Sequence, residues 1–298
     1  MKRMGIGIAI SALLLAGSMA ARDISGSGTP VSVIVTVRGQ QNALTPDDVV
    51  VTQNKRRAQV TGFEPVRSQN GLQLWILIDD GDTTALGAQL ADLRKFVLAQ
   101  APAVEIGIGY MRNGMVQNAQ ALTTDHEAAA KALRLPLGMA GISSSPYLAL
   151  EELIKKWPAG NVPREVLMVT SGIDPYYVGP DNPYVNAAIH SAQRAGVIVY
   201  SIYYGGAGRW GHNYRLLFWG QNYLGQLSEE TGGNLYWLGT VNPVSLAPYL
   251  DDLRERLSGQ YLLTFVAQPE NKPGLQQVKI KAEPPHVKIS GPSRVYVQ

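Results

Sequence analysis

The chain contains no cysteine among its 298 residues. Disulfide staples and a lipoprotein-type anchor on an N-terminal cysteine are therefore excluded. Charge is sparse at 16%, and 26 basic residues nearly cancel 23 acidic ones. No basic stripe occurs, so the electrostatic footprint of a nucleic-acid binder is absent. His126, His190, His212 and His286 are scattered without metal-binding spacing, and no Gly-x-Ser-x-Gly elbow occurs. Nucleophilic hydrolysis has no support in the sequence. Long apolar runs are missing as well, apart from Ile6 to Ala16.

That run follows Lys2 and Arg3 and precedes the small-x-small tripeptide Ser18-Met19-Ala20, the layout of a secretory signal. It is short for a full membrane span. Residues 1–21 are read as a cleaved signal, which implies a secreted or periplasmic protein with no stable membrane anchor afterwards. Without disulfides, such a protein relies on its core, and this length permits a large one.

The remaining sequence divides by rhythm. Residues 22–66 carry strand signals at 31–37, 49–53 and 58–64, with alternation or β-branched runs. From residue 67 to 258, apolar runs at 72–79, 104–111, 166–170, 197–204 and 234–238 alternate with helix-like stretches at 85–100, 125–134, 145–157, 183–195, 215–231 and 243–258. Such alternation implies an α/β fold, a doubly wound and mostly parallel sheet covered on both faces. The tight turn Met111-Arg-Asn-Gly114 leads directly into residues 115–122, which adds one antiparallel edge strand. Residues 259–298 return to strands, and are expected to pack with 22–66 as a small all-β module.

One loop concentrates chemistry. Trp75-Ile-Leu-Ile-Asp-Asp-Gly-Asp-Thr-Thr84 is an apolar strand that stops at three carboxylates and two hydroxyls. In open α/β sheets, ligands bind at the carboxyl ends of strands. A set of oxygen ligands suits a hard cation such as Mg²⁺, with Mn²⁺ or Ca²⁺ as relatives. The competing reading is structural: Asp82, Thr83 or Thr84 caps the next helix, and Asp79 and Asp80 accept backbone donors.

The order of elements and this Asp-rich loop resemble a von Willebrand factor A-type domain. Val31-Ser-Val-Ile-Val-Thr-Val-Arg38, Leu44-Thr-Pro-Asp-Asp-Val49, Gly62-Phe-Glu64 and the ending Gly259-Gln-Tyr-Leu-Leu-Thr-Phe-Val266 resemble an acidobacterial group of exported proteins carrying such domains. The resemblance implies a metal-ion-dependent adhesion site of the form Asp-x-Ser-x-Ser, completed by a Thr and an Asp further on. Asp79 and Thr83 match, Gly81 replaces the first Ser, and Asp82 is an additional carboxylate. Ser144 stands where the family has Thr. Ser171 stands where the Asp belongs, leaving Asp174 as its substitute. The implied function is a non-enzymatic binding module with a degenerate metal site, recognising a protein or glycan.

Two aromatic loops, Asp174 to Tyr184 and Gly205 to Tyr214, share that edge of the sheet. Tyr176, Tyr177, Trp210 and Tyr214 are the candidate partner contacts, because such side chains dominate binding hot spots. Phe218, Trp219 and Tyr223, at helical spacing, are read as core. Two alternatives remain open. Asp80-Gly-Asp82-Thr-Thr84 fits the opening of haloacid-dehalogenase-like phosphotransferases, with Asp80 as nucleophile and Asp82 as acid. The required later acidic pair is represented only by Asp251 and Asp252, inside a helical pattern. The other alternative is a structural envelope component with no metal site. Gly206-Ala-Gly208-Arg-Trp-Gly211 formally matches a dinucleotide loop but lacks the acidic residue that follows it.

Overall fold

The computed structural model describes residues 28–39, 44–66, 71–81, 84–138, 145–160, 162–205, 213–239, 241–268 and 272–298. The segment read as a secretory signal lies outside them. Among the described residues, no helix is long and apolar enough to cross a membrane.

Residues 72–236 form a six-stranded sheet. Its strands are β4 (Leu72–Asp79), β5 (Val104–Arg112), β6 (Met115–Thr123), β7 (Arg164–Thr170), β8 (Val197–Tyr203) and β9 (Leu235–Tyr236), in the order β6-β5-β4-β7-β8-β9. All neighbours are parallel except β5 and β6, which Asn113 and Gly114 join in a left-handed turn. The period-2 alternation of the strands sorts their side chains onto two cores. Leu74, Ile76 and Ile78 of β4 face α1 (Leu90–Leu98), α2 (His126–Lys131) and α6 (Ala247–Ser258). Trp75 and Leu77 face α3 (Pro146–Lys156), α4 (Pro183–Ala195) and α5 (Tyr214–Thr231).

Relative to its first strand, the sheet runs 3-2-1-4-5-6, the doubly wound order. The chain winds outward from β4 to β6, then returns and winds the other way from β7 to β9. The two directions part between β4 and β7, so their carboxyl ends open a crevice there. Most of the helix-like segments are helical. The stretch at 85–100 starts as a 3-10 turn over Thr84–Gln89, and that at 125–134 ends by Lys131, ahead of Pro136.

A second sheet has seven strands: β1 (Thr29–Arg38), β2 (Val49–Gln53), β3 (Arg56–Pro65), β10 (Gln260–Ala267), β11 (Gly274–Ala282), β12 (Lys288–Ser290) and β13 (Arg294–Val297). Its order is β12-β1-β10-β3-β2-β11-β13, antiparallel throughout. Gly291-Pro292-Ser293 separates β12 from β13, because proline cannot donate to a ladder. Val35, Val37, Val51, Phe63, Leu263, Phe265 and Val295 fill this sheet's own core.

The sheets meet through polar groups. Glu165 of β7 is fully buried and accepts a hydrogen bond from Gln260 of β10. Among the described residues its other oxygen, Oε2, has no hydrogen-bond partner. Nearby, Arg38 pairs with Asp252 at 2.7 Å, which also holds Arg256 at 2.7 Å and accepts the Tyr236 hydroxyl at 2.8 Å.

Candidate functional site at the switch point

The crevice between β4 and β7 gathers Asp79, Asp80, Thr170 and, on the following loop, Asp174. All four are buried, which is unusual for three carboxylates. Each carboxylate meets a different environment.

Asp80 belongs to an ion-pair cluster. Arg134 donates to its two oxygens at 2.7 and 3.2 Å, the Leu137 amide donates at 3.0 Å, and Arg112 stands 3.7 Å away. Burial alone would raise its pKa, but the Arg134 hydrogen bonds and the neighbouring charges outweigh it and hold the carboxyl below its ordinary value. Arg134 also lies over the Tyr110 ring, 3.7 Å from its centroid. The oxygens a phosphotransferase would need as nucleophile are thus engaged by internal donors.

Among the described residues Asp79 has no cationic partner of this kind. Its oxygens accept the Gly81 amide at 3.0 Å and the Thr170 hydroxyl at 2.8 Å. Burial raises its pKa against those two hydrogen bonds, and the Asp80 charge adds to the rise. Thr170 in turn accepts the Gly172 amide at 3.1 Å, which fixes the exit of β7. Asp174 accepts the Tyr176 amide at 3.0 Å and the Asn182 side-chain amide at 3.1 Å. Burial raises it too, against these bonds and the Ser145 hydroxyl. Tyr147 is fully buried, and its hydroxyl donates to the Gly172 carbonyl at 2.8 Å. Burial pushes the Tyr147 hydroxyl well up, and the charges of both Asp174 and Asp79 add to it.

Of the residues the sequence put at a metal site, the structure thus brings Asp79 and Asp174 to one crevice, while Asp82, Thr83 and Ser144 lie outside the described residues. Ser145 and Thr170 were missed. Ser145 caps α3 by accepting the Leu148 amide. It also reaches Asp174. Thr170 was visible only as a strand-end hydroxyl.

Helix α5 closes one wall. Gly172 has φ +68°, and a Cβ there would lie 2.5 Å from the Gly220 carbonyl oxygen. A Cβ at Gly220 would drive into the Ser171 carbonyl oxygen. Gly220→Ala gains about 1 kcal/mol of helix propensity, yet overpacking should destabilise the protein by about 1–3 kcal/mol net. Guanidinium denaturation measures this, and an alanine variant as stable as the parent would mean that α5 can move off the loop.

The aromatic loops divide. Tyr177 is half-buried and donates to the Pro180 carbonyl at 2.7 Å, an internal tie. Trp210 lies outside the described residues. Tyr176 is 47% exposed and Tyr214 78% exposed. Phe218, read from spacing as core, is instead 58% exposed: one turn from Tyr214 on α5, it shares that residue's outward face. Trp219 is half-buried and Tyr223 buried. Phe218 meets Trp219 edge-on, with centroids 5.5 Å apart, and Trp219 stacks on Tyr223 at 5.8 Å. The Tyr223 hydroxyl donates to the Gly179 carbonyl at 2.6 Å and accepts the Gly179 amide at 3.0 Å, pinning the Asp174 loop to α5.

Sequence reasoning missed a further apolar pair, Trp237 and Leu238, more than half exposed just beyond β9. Gln221 donates to the Gly239 carbonyl at 2.8 Å and draws that loop beside the Phe218 face.

The six-stranded unit is von Willebrand A-like in fold. That statement rests on the strand order, the antiparallel edge and the two helical layers of this chain. No family model and no curated protein matches the sequence. Similar solved structures include an aerotolerance-related membrane protein from Bacteroides fragilis, 14% identical over 63% of this chain and 98% of that one, with a TM-score of 0.45. Another is the ArnB paralog VWA2 from Sulfolobus acidocaldarius, 11% identical over 89% of this chain and 76% of that one, with a TM-score of 0.42. A third is the SpRpn10 VWA domain, 13% identical over 61% and 94%, with a TM-score of 0.39. At these identities and scores nothing of those proteins' chemistry carries over.

Proposed function

We propose that the chain is an exported, non-enzymatic binding module that recognises a protein or glycan partner through the C-terminal edge of its parallel sheet. The observation that carries this reading is the exposed apolar surface at that edge. Tyr214, Phe218, Trp237 and Leu238 are exposed on or beside a helix that is itself anchored to the site loop. Rigid aromatic rings held clear of the core contribute little to folding, and they suit a hot spot. Phe218→Ser with Trp237→Ser should leave the unfolding free energy within about 0.5 kcal/mol of the parent, measured by denaturant titration. The same variant should no longer be retained on envelope fractions of the source cells. Unchanged retention, or a large loss of stability, would refute the reading.

The Asp79–Asp174 pair serves in this proposal as a reduced cation site. Each carboxylate has a hydroxyl beside it, Thr170 for Asp79 and Ser145 for Asp174, and burial raises both; among the described residues neither is paired with a cationic side chain. A divalent cation would supply the missing positive charge. Because the carboxylates already take internal donors, Mg²⁺ or Mn²⁺ should bind no more tightly than about 10⁻⁴ M, and more tightly as pH rises and the carboxyls ionise. Calorimetry on the parent and Asp79→Ala tests this. Submicromolar binding, or equal heats in both proteins, would contradict it.

A further inference from the structure

At the opposite end of the parallel sheet a second cleft, of about 290 Å³, opens where the seven-stranded sheet meets the end of α4 and the start of β8. It lies away from the carboxylate crevice, and nothing in the proposed function uses it. Three features of its lining point to one kind of occupant.

The first is an open strand edge. On one side β1 pairs with β10 from Thr29 to Thr36, but on the other, among the described residues, strand pairing is limited to β12 at Thr36 to Arg38. The Val37 amide donates to the Gly259 carbonyl, so odd residues of β1 turn their backbone groups toward β10. By alternation, Ser32 and Ile34 turn theirs to the uncovered edge, which lines the cleft. Pro30, with no N–H to offer, sits at the end of that stretch, as edge prolines do. Facing it, β13 ends the sheet order and pairs only with β11.

The second is a buried acceptor without a donor. Gln193 is 6% exposed, and its amide nitrogen donates to the Glu230 carbonyl at 2.8 Å and the Ser293 hydroxyl at 3.0 Å. Those bonds fix which way the amide faces. Gln193 lines the cleft, and among the described residues its remaining polar atom, the buried Oε1, has no hydrogen-bond partner.

The third is charge. Arg194 stacks over Tyr296 at 5.3 Å, and Arg294 donates to His190 Nε2 at 2.9 Å. Among the described residues neither guanidinium has a carboxylate in ion-pair range. The Glu230 carboxylate is engaged by Ser293 and Gln226 instead. The walls between are apolar, chiefly Val33, Ile34, Leu262 and Val295.

We propose that this cleft docks an extended acidic segment of a partner polypeptide, added as a strand along β1 at Ser32–Ile34. Its backbone would meet the open edge, one N–H would satisfy Gln193, apolar side chains would enter between the walls, and a carboxylate would bridge Arg194 and Arg294. Strand addition draws affinity from main-chain bonds and specificity from alternate side chains, and the charge complementarity fixes the sign of the partner.

The probe is a fluorescein-labelled Val-Glu-Val-Glu-Val-Glu peptide, followed by anisotropy with the full mature chain. Saturable binding is expected, weakened at least about tenfold by Arg194→Glu with Arg294→Glu, the effect of losing one charge-assisted hydrogen bond. The lysine analogue and a peptide N-methylated at alternate residues should bind the parent protein at least as much more weakly, which keeps the test valid if the double variant folds poorly. Absence of binding overturns the proposal, as does equal binding by the N-methylated peptide or the lysine analogue. So does a parent protein that sediments as a dimer dissolved by the double variant, since the occupant would then be a second copy.

Discussion

Glu165→Gln should stabilise the protein at neutral pH by roughly 3 kcal/mol, and by somewhat more above pH 8. Burial pushes the Glu165 carboxyl from 4.5 up to about 8, against the hydrogen bond from Gln260. The folded protein therefore holds a proton that the unfolded chain releases. The stability associated with that proton is complete below pH 4.5 and is lost progressively as pH rises to about 8. Glutamine is neutral at every pH, keeps an acceptor for Gln260 and places an N–H₂ where Oε2 has no partner. The variant should thus lack the downward slope between these pH values. Denaturant titrations at pH 5, 7 and 9 measure it, and parallel curves for parent and variant would show that Glu165 is ionised inside the fold.

Arg134→Met should act in the opposite direction, with a loss of about 3 kcal/mol at pH 7. Asp80 is almost completely buried and receives two of its hydrogen bonds from this guanidinium. Removing the guanidinium leaves a buried anion that keeps, among the described residues, the Leu137 amide and the more distant Arg112. The loss lies at the low end for a broken buried pair, because Arg112 remains and the Arg134 side chain is 38% exposed. Asp80 has a lowered pKa in the fold, so its contribution is present above the usual carboxylate range and is lost as pH falls through the folded value. In Arg134→Met that acid-side loss should begin at higher pH. Urea midpoints at pH 7 and pH 4 read both effects, and a loss below about 0.5 kcal/mol would mean that Asp80 stays solvated.

What was legible in the sequence follows from range. The strand–helix alternation, the antiparallel edge after Met111-Arg-Asn-Gly114 and the Asp79 loop are local patterns, and the fold uses each where the periodicity puts it. The ion pair of Asp80 with Arg134 was invisible because it joins residues far apart in the chain, with no local rule to link them. Phe218 was misread for a different reason. Spacing alone gives its face of α5, and only the packing tells which face turns to the core. Ser145 and Thr170 were within reach, as a cap and a strand-end hydroxyl, but nothing local says that both point at neighbouring carboxylates. The buried state of Glu165 depends on Gln260, a residue of the other sheet.

The strand order of the seven-stranded sheet carries a consequence for how the protein is made. β10 lies between β1 and β3, and β11 lies beside β2. When the N-terminal third of the chain leaves the ribosome, only β2 and β3 can pair with each other. Most of β1 must wait, its valines unshielded, until residues 260–267 have been synthesised. Translation thus delivers the first strand's partner almost last, and a chain stalled or clipped before that point keeps a sticky, unmatched strand at its front end.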